Sequence, residues 1–151
     1  MKSATEAEAR ALLAAPSLLQ DAPGWQGSRA RPWHQAIDCG LLRLDGTRAG
    51  LQARLEWSYS RDTSIRTYQF SIFRAQLYGL QRVYQLTVAR FARPTRDAHR
   101  LSHEHLGDMR SGAQPAWSEW TFEQTMSYFC QRTNLAIDPP IDDPEQLRLK
   151  P

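Results

Sequence analysis

The sequence predicts an α+β fold: a twisted antiparallel β-sheet meander of about four strands, covered on one face by a C-terminal helix, with a short N-terminal helix. Apolar and polar residues alternate over much of residues 35–93, as in strands with one buried and one solvated face. Capping-box sequences begin a helical pattern near each end of the chain. The 151 residues suffice for one core, so we expect a single domain over residues 1–151.

The first helix is predicted from its start and stop signals. Thr5 and Glu8 have the spacing of a capping box, in which each side chain bonds the other residue's backbone N–H. Leu12 continues an apolar stripe, and Pro16 ends the helix. Residues 17–32 contain glycine and proline and show no periodicity, so we expect a loop there.

The first two strands of the predicted meander flank a hairpin turn. Asp45 and Gly46 are a strong signal for that turn, after a strand over residues 35–44. The clearest strand pattern in the sequence follows it. Its apolar side chains face one way, at Leu51, Ala53, Leu55, Trp57 and Tyr59.

Two more strands complete the predicted meander. Apolar residues alternate from Tyr68 and change phase at Ile72 or Phe73, which predicts a β-bulge at that point. The last long strand alternates over residues 84–88. A short edge strand is expected within the irregular segment that follows, over residues 103–106.

The C-terminal helix is predicted to begin with a second capping box, formed by Thr121 and Gln124. Asn134 suits the left-handed position that ends many helices. The apolar face of this helix should pack on the sheet. We expect a core of Leu51, Leu55, Trp57, Tyr68, Phe70, Leu86, Val88, Phe122, Met126 and Phe129.

Composition indicates a cytoplasmic protein without a membrane segment. No apolar run is long enough to span a bilayer. Cys39 and Cys130 are far apart in the sequence and have no metal-binding spacing, which favours free thiols in a reducing compartment. The net charge is +3, and the cations other than Lys2 and Lys150 are arginines. This bias fits either a GC-rich genome or a phosphate-binding face.

Residues 99–110 form the candidate site, because they hold three of the four histidines with two carboxylates and two arginines. On an extended backbone, His103 and His105 point to the same side. Paired imidazoles serve as acid and base, bind a metal, or hydrogen-bond a loop in place. We expect no metal and no other cofactor. A metal would need a further ligand from Asp108, His99 or Glu104.

A metal-independent ribonuclease is one chemistry that these side chains would support. One imidazole of the pair His103 and His105 would take the 2′-hydroxyl proton, a second acid would protonate the leaving oxygen, and the flanking Arg100 and Arg110 would stabilise charge on the phosphate. A basic sheet face would bind RNA or an acidic partner through Arg54, Arg66, Arg74, Arg82 and Arg90. Tyrosines on the same strands would either stack on bases or pack in the core; these are Tyr68, Tyr78 and Tyr84.

Several short motifs resemble a family of uncharacterised bacterial and prophage proteins of about this length. The matching features are Leu12-Leu13 before Pro16, His103-Glu104-His105-Leu106, and Phe129 followed by Asn134-Leu135 and Pro139-Pro140. That resemblance implies a mobile-element or defence-locus setting. More distantly, the order of sheet, histidine pair and helix is similar to TumE-type toxins of toxin–antitoxin systems, although the chain lacks their Arg-Tyr-Asp-Asn step. The resemblance to those toxins extends to His103 and His105 alone.

Two functions of different class follow. The first is a toxin-like, nucleic-acid-directed protein of a mobile element or defence locus, acting as a metal-independent ribonuclease on RNA. The second is a non-catalytic phage or mobile-element protein that binds a cognate antitoxin, or a host or defence protein, through a basic sheet face. The sequence leaves open whether the chain is an enzyme.

Overall fold

The computed structural model describes residues 2–27, 29–91, 102–112 and 114–148. Its helices are α1 (Glu6–Ala14), a 3₁₀ helix (Pro115–Glu119), α2 (Phe122–Thr133) and α3 (Pro144–Arg148). Its strands are β1 (Ser17–Gln20), β2 (Gln26–Gly27), β3 (His34–Arg43), β4 (Arg48–Tyr59), β5 (Arg66–Gln76), β6 (Gly79–Arg90), β7 (His103–Leu106), β8 (Met109–Arg110) and β9 (Leu135–Asp138).

The prediction of a four-strand meander under a C-terminal helix is wrong. The described strands form one nine-stranded mixed sheet in the order β8-β7-β6-β5-β4-β3-β1-β9, with β2 also paired to β3. Neighbours are antiparallel except β1 and β9, which run parallel. Two of the strands missing from the prediction, β1 and β9, have four residues each, too few to display a clear alternation.

The segment predicted as a loop over residues 17–32 contains two of those strands. β1 pairs with β3 and, in parallel, with β9, so Ser17 lies beside Leu135. β2 pairs with β3 through Gln26 and Gly27. Parallel pairing between segments so distant along the chain leaves no local signal, which explains why the sequence pattern did not reveal it.

The predicted bulge is confirmed between β5 and β6. Ile72 lies opposite Tyr84, whereas Phe73 lies opposite Arg82, so Val83 is the extra residue. Bulges of this kind shift the alternation of side chains and increase the local twist. The bulge therefore determines the face on which Arg82 emerges.

Aromatic rings join the sheet to α2. Phe129 contacts Phe70 and Tyr84, with ring centroids 5.6 and 5.9 Å apart. Phe122 packs against Tyr68 and Phe70 at 5.8 and 6.2 Å. The predicted core residues are buried, except Met126, which is partly buried.

The covering layer is shared among several elements, which is a second departure from the predicted fold. α2 packs on β5 and β6, α1 on β6 and β7, and the 3₁₀ helix on β6. A twelve-residue helix is about 18 Å long, which is too short to cover so wide a sheet. The short N-terminal helix therefore contributes to the core through Ala9 and Leu13.

Both predicted capping boxes are confirmed. Thr5 and Glu8 bond reciprocally at the start of α1, and Thr121 and Gln124 do so at the start of α2. Asn134 ends α2 in the left-handed conformation, as expected. Within the described ranges no helix is both long and apolar enough to cross a membrane.

Candidate functional site

β7 places the two histidines on the sheet face opposite the helices. Glu104 pairs in register with the buried Leu86 of β6 and so faces the helices. His103 and His105 alternate with Glu104 and therefore project from the other side of the sheet, here called the outer face. Their rings meet edge to face with centroids 5.2 Å apart. The sequence prediction that these side chains share one side of a strand is confirmed.

Two arginines join the histidine pair. Arg110 of β8 lies opposite His105. Arg82 of β6 lies opposite Phe73, one position beyond the bulge, which directs it to the outer face. Both guanidinium groups are close enough to His105 to disfavour its protonation. We call Arg82, His103, His105 and Arg110 the histidine–arginine cluster.

Two nitrogen atoms in this cluster are buried without a hydrogen-bond partner among the described residues, namely Arg82 Nε and His105 Nδ1. The nearby Gln85 accepts a long hydrogen bond of 3.4 Å from Arg82 Nη1. Buried polar atoms are almost always satisfied in folded proteins, so these two nitrogen atoms mark the cluster as a place where a partner is missing among the described residues. An anion with several acceptor oxygens would satisfy the guanidinium.

Two members of the cluster, His105 and Arg82, have pKa values below their ordinary ones. Burial, together with the positive charges of Arg82, His103 and Arg110 nearby, lowers the pKa of His105 to about 4. Burial also lowers the pKa of Arg82. At neutral pH His105 is therefore a neutral imidazole beside two arginines, able to accept a proton or a hydrogen bond.

Acidic side chains on the outer face lie away from the cluster. Asp38 of β3 pairs with Arg54 at 2.7 Å, and Glu56 of β4 pairs with His34 at 3.1 Å. Among the described residues of β6, β7 and β8 that face outward, none is acidic. Among the described residues of these three strands, no carboxylate therefore stands beside Arg82 or Arg110 on the outer face.

Behind the histidines, Glu104 anchors β7 to α2. Its Oε2 accepts a 2.6 Å hydrogen bond from the Tyr84 hydroxyl, and its Oε1 lies 3.2 Å from Arg132 Nη2. Burial and the Glu104 carboxylate raise the pKa of Tyr84, so the phenol keeps its proton. The alternation of β7 would have assigned Glu104 to the buried side, but its partners on β6 and α2 have no signature in the sequence.

The turn after β7 docks onto the start of α1. Gly107 donates its N–H to the Val83 carbonyl at 2.7 Å. Asp108 Oδ1 accepts from the Glu6 N–H at 3.0 Å, at the positive end of the helix dipole. The strand that carries the histidines is thus held at its centre by Glu104 and at its end by this turn.

The predicted arginine face does not form one surface. Arg54 and Arg82 lie on the outer face, since they are in register with Ser71 and Phe73. Arg100, placed by the sequence beside the histidines, lies outside the described residues. Arg110, by contrast, lies beside His105 as the sequence suggested.

Three of the predicted binding arginines are on the helix side of the sheet, near its ends. Arg66 and Arg90 lie opposite each other and approach Glu145 of α3 at 3.4 and 3.8 Å. Arg74 pairs with Glu8 of α1 at 2.9 Å. The strand register therefore divides the five predicted binding arginines between the two sides of the sheet, and they do not form a single basic stripe on the outer face.

Of the side chains proposed as further metal ligands, the two that the structure describes, Glu104 and Asp108, do not meet the histidines. Glu104 faces the helices, Asp108 caps α1, and His99 lies outside the described residues. Within the described part of the chain, no group of three His, Cys, Asp or Glu side chains is arranged to hold a metal ion.

The tyrosines proposed for base stacking have separate positions. Tyr68 and Tyr84 are buried in the core, as the packing interpretation predicted. Tyr78 is 95% exposed, next to the start of β6. None of the three lies in the histidine–arginine cluster.

The low pKa of His105 predicts a pH dependence of stability. The unfolded chain binds a proton at this residue below about pH 6.5, whereas the folded chain does so only near pH 4, so acid favours unfolding between these values. We expect the free energy of unfolding to fall by about 1 kcal/mol across that window, because solvent screening reduces the full effect. Denaturant titrations at several pH values give the free energy of unfolding as a function of pH. Between pH 6.5 and 4 that free energy should fall less steeply for His105→Asn than for the wild type. Identical slopes would contradict the prediction.

No protein-family model matches the chain, and no curated protein or solved structure shows significant similarity to it.

Proposed function

We propose that the chain is a toxin-like, nucleic-acid-directed protein that cleaves RNA without a metal ion at the histidine–arginine cluster. The observation that carries this proposal is the convergence of two imidazoles and two guanidinium groups around buried, unpartnered nitrogen atoms. Phosphodiesters match this chemistry, since arginine binds phosphate oxygens with paired hydrogen bonds.

The reaction uses the ribose hydroxyl of the substrate itself. His105, neutral at physiological pH, accepts the proton of the 2′-hydroxyl, and the 2′-oxygen forms a bond to phosphorus. The bond from phosphorus to the 5′-oxygen then breaks, and His103 in its protonated form donates a proton to the leaving oxygen. The products are a 2′,3′-cyclic phosphate and a 5′-hydroxyl end.

The two arginines stabilise the extra negative charge that develops on the phosphate oxygens during attack. Removing one such donor typically slows a reaction by about 100- to 1000-fold. The phosphodiester also acts on His105, because a negative charge nearby favours the protonated imidazole. Substrate binding thus raises a very low pKa towards the range in which a general base is effective.

The decisive test is cleavage of a fluorescent RNA oligonucleotide by the purified chain in the presence of a chelator. We expect His103→Ala/His105→Ala to lower the cleavage rate by at least about 1000-fold, because both proton-transfer groups are lost. His34→Ala is the matched control, since His34 lies on the same face but pairs with Glu56. It should cleave at close to the wild-type rate.

Two further controls fix the interpretation. An oligonucleotide with a 2′-O-methyl group at each ribose should resist cleavage, because its nucleophile is blocked. Circular dichroism must show that the double variant is folded. If the folded wild type cleaves no RNA, or if the double variant cleaves as fast as the wild type, the proposal is wrong. A wild type that neither cleaves RNA nor arrests growth when expressed would favour the non-catalytic interaction protein.

A further inference from the structure

A pocket of about 620 Å3 lies on the helix side of the sheet, apart from the histidines. Arg66 and Arg90 line it together with the aromatic residues Tyr59 and Phe91. Pockets of this size accommodate small organic ligands. The combination of two cations with two aromatic rings narrows the chemistry of a ligand to one that carries both an anionic group and an aromatic group.

The arginines retain hydrogen-bonding capacity for such a ligand. Glu145 lies 3.4 Å from Arg66 and 3.8 Å from Arg90, distances at the long end of ion pairing. The same carboxylate accepts a hydrogen bond of 3.2 Å from Trp57 Nε1. Each guanidinium has five N–H donors, so among the described residues the shared Glu145 carboxylate, with the Tyr68 hydroxyl near Arg90, leaves donors unused. The Arg66 side chain is 49% exposed and remains accessible from the pocket.

Aromatic and cationic side chains alternate around the same end of the sheet. Arg66 lies over the Tyr59 ring at 5.7 Å, and Trp33 meets that ring edge to face with centroids 5.8 Å apart. Arg61 in turn lies over Trp33 at 5.3 Å. Arginines interleaved with aromatic rings are typical of surfaces that stack nucleobases and bind their phosphates.

The backbone of the β4–β5 connection adds a polar group to the pocket wall. Ser64 lines the pocket and has φ of 57°, a left-handed conformation that a serine adopts at a cost. Strained backbone positions cluster at ligand-binding sites, where the surrounding structure holds them in place. Glu119 also lines the pocket, so the ligand must have an uncharged or donor group on that side.

We propose that this pocket binds a nucleoside monophosphate, with the phosphate on N–H donors of Arg66 and Arg90 other than those that face Glu145, and the base against Tyr59 or Phe91. This binding activity is separate from RNA cleavage, because the pocket and the histidine–arginine cluster are on opposite sides of the sheet.

Calorimetric titration with adenosine monophosphate is the test. We expect a Kd below about 1 mM, and binding of adenosine and of inorganic phosphate each at least about tenfold weaker, because each ligand keeps only half of the contacts. Arg66→Gln/Arg90→Gln should weaken binding of the nucleotide by at least about tenfold. Arg54→Gln is the matched control on the outer face and should leave the Kd unchanged.

A second variant, Tyr59→Leu, separates the contribution of the aromatic ring from that of the arginine charges. It also keeps the proposal testable if Arg66→Gln/Arg90→Gln fails to fold. Tyr59→Leu should weaken binding of the nucleotide several-fold and leave that of inorganic phosphate unchanged. His103→Ala/His105→Ala should bind the nucleotide as the wild type does, whether or not RNA is cleaved. Equal affinity for phosphate and nucleotide would overturn the nucleotide assignment. No binding at 10 mM nucleotide, about tenfold above the expected Kd limit, would overturn the site.

Discussion

Gly107→Ala is expected to lower the free energy of unfolding by about 3 kcal/mol, from a left-handed alanine and a steric clash together. Gly107 has φ of 58°, and a Cβ atom there would lie 2.6 Å from the carbonyl carbon of Thr5 and 2.7 Å from the Ala4 oxygen. Both are backbone atoms, which cannot move aside as a flexible side chain can. The start of α1 must shift away from the turn, and the Asp108 hydrogen bond to Glu6 is lost with it.

Gly46→Ala separates the two causes. Gly46 also has a positive φ, 86°, but an added Cβ would meet nothing within 4 Å. Gly46→Ala should therefore lower the free energy of unfolding by about 1 kcal/mol, from the cost of placing alanine in a left-handed conformation alone. Urea titrations of the two variants beside the wild type provide the comparison. Equal losses would show that the contact between the turn and α1 contributes nothing to stability.

Glu104→Gln is expected to cost about 2 kcal/mol, because it removes a buried carboxylate from its hydrogen bonds and leaves the Arg132 guanidinium, which is 34% exposed, without its charge partner. Glu104 is 8% exposed and bonds both the Tyr84 hydroxyl and Arg132. The amide can still accept from the tyrosine, so the loss reports mainly on the charge. Asp38→Asn is the matched control, since the Asp38 side chain is 47% exposed and pairs with Arg54. It should cost less than about 1 kcal/mol.

Denaturant titration of both variants decides the point. A loss of unfolding free energy for Glu104→Gln no larger than that for Asp38→Asn would mean that the pair of Glu104 and Arg132 stabilises the fold no more than an exposed ion pair does. The same variant bears on the site, because Glu104 lies between the two histidines on a four-residue strand. If β7 shifts, RNA cleavage should fall even in the fraction of protein that remains folded.

Periodicity and capping predicted the local structure of this chain well. The alternation of β4, the bulge opposite Ile72 and Phe73, and both capping boxes depend on neighbouring residues or on one hairpin, and such local features leave a pattern in the sequence. The position of β1 between β3 and β9 depends on contacts across the whole chain. No local pattern records them, so the number of strands and the sharing of the cover among several helices were not predicted.

The alternation of β5 could have predicted from the sequence which side of the sheet Arg66 and Arg74 occupy. Arg66 and Arg74 have the same parity as the buried Phe70, so the alternation of β5 places all three on the helix side. The two arginine side chains reach solvent there because β5 extends beyond the core at both ends. Arg82 could not be assigned in this way, because the bulge at Val83 reverses the alternation of β6.

The parallel pairing of β1 with β9 has a consequence for synthesis of the protein on the ribosome. β1 leaves the ribosome early and can pair with β3 as soon as that strand follows it. Its other edge stays open until translation reaches residue 138, the end of β9. During that interval the nascent chain displays unpaired backbone groups, which attract chaperones or neighbouring nascent chains. Among the described strands, the one synthesised latest is thus the one that closes this edge.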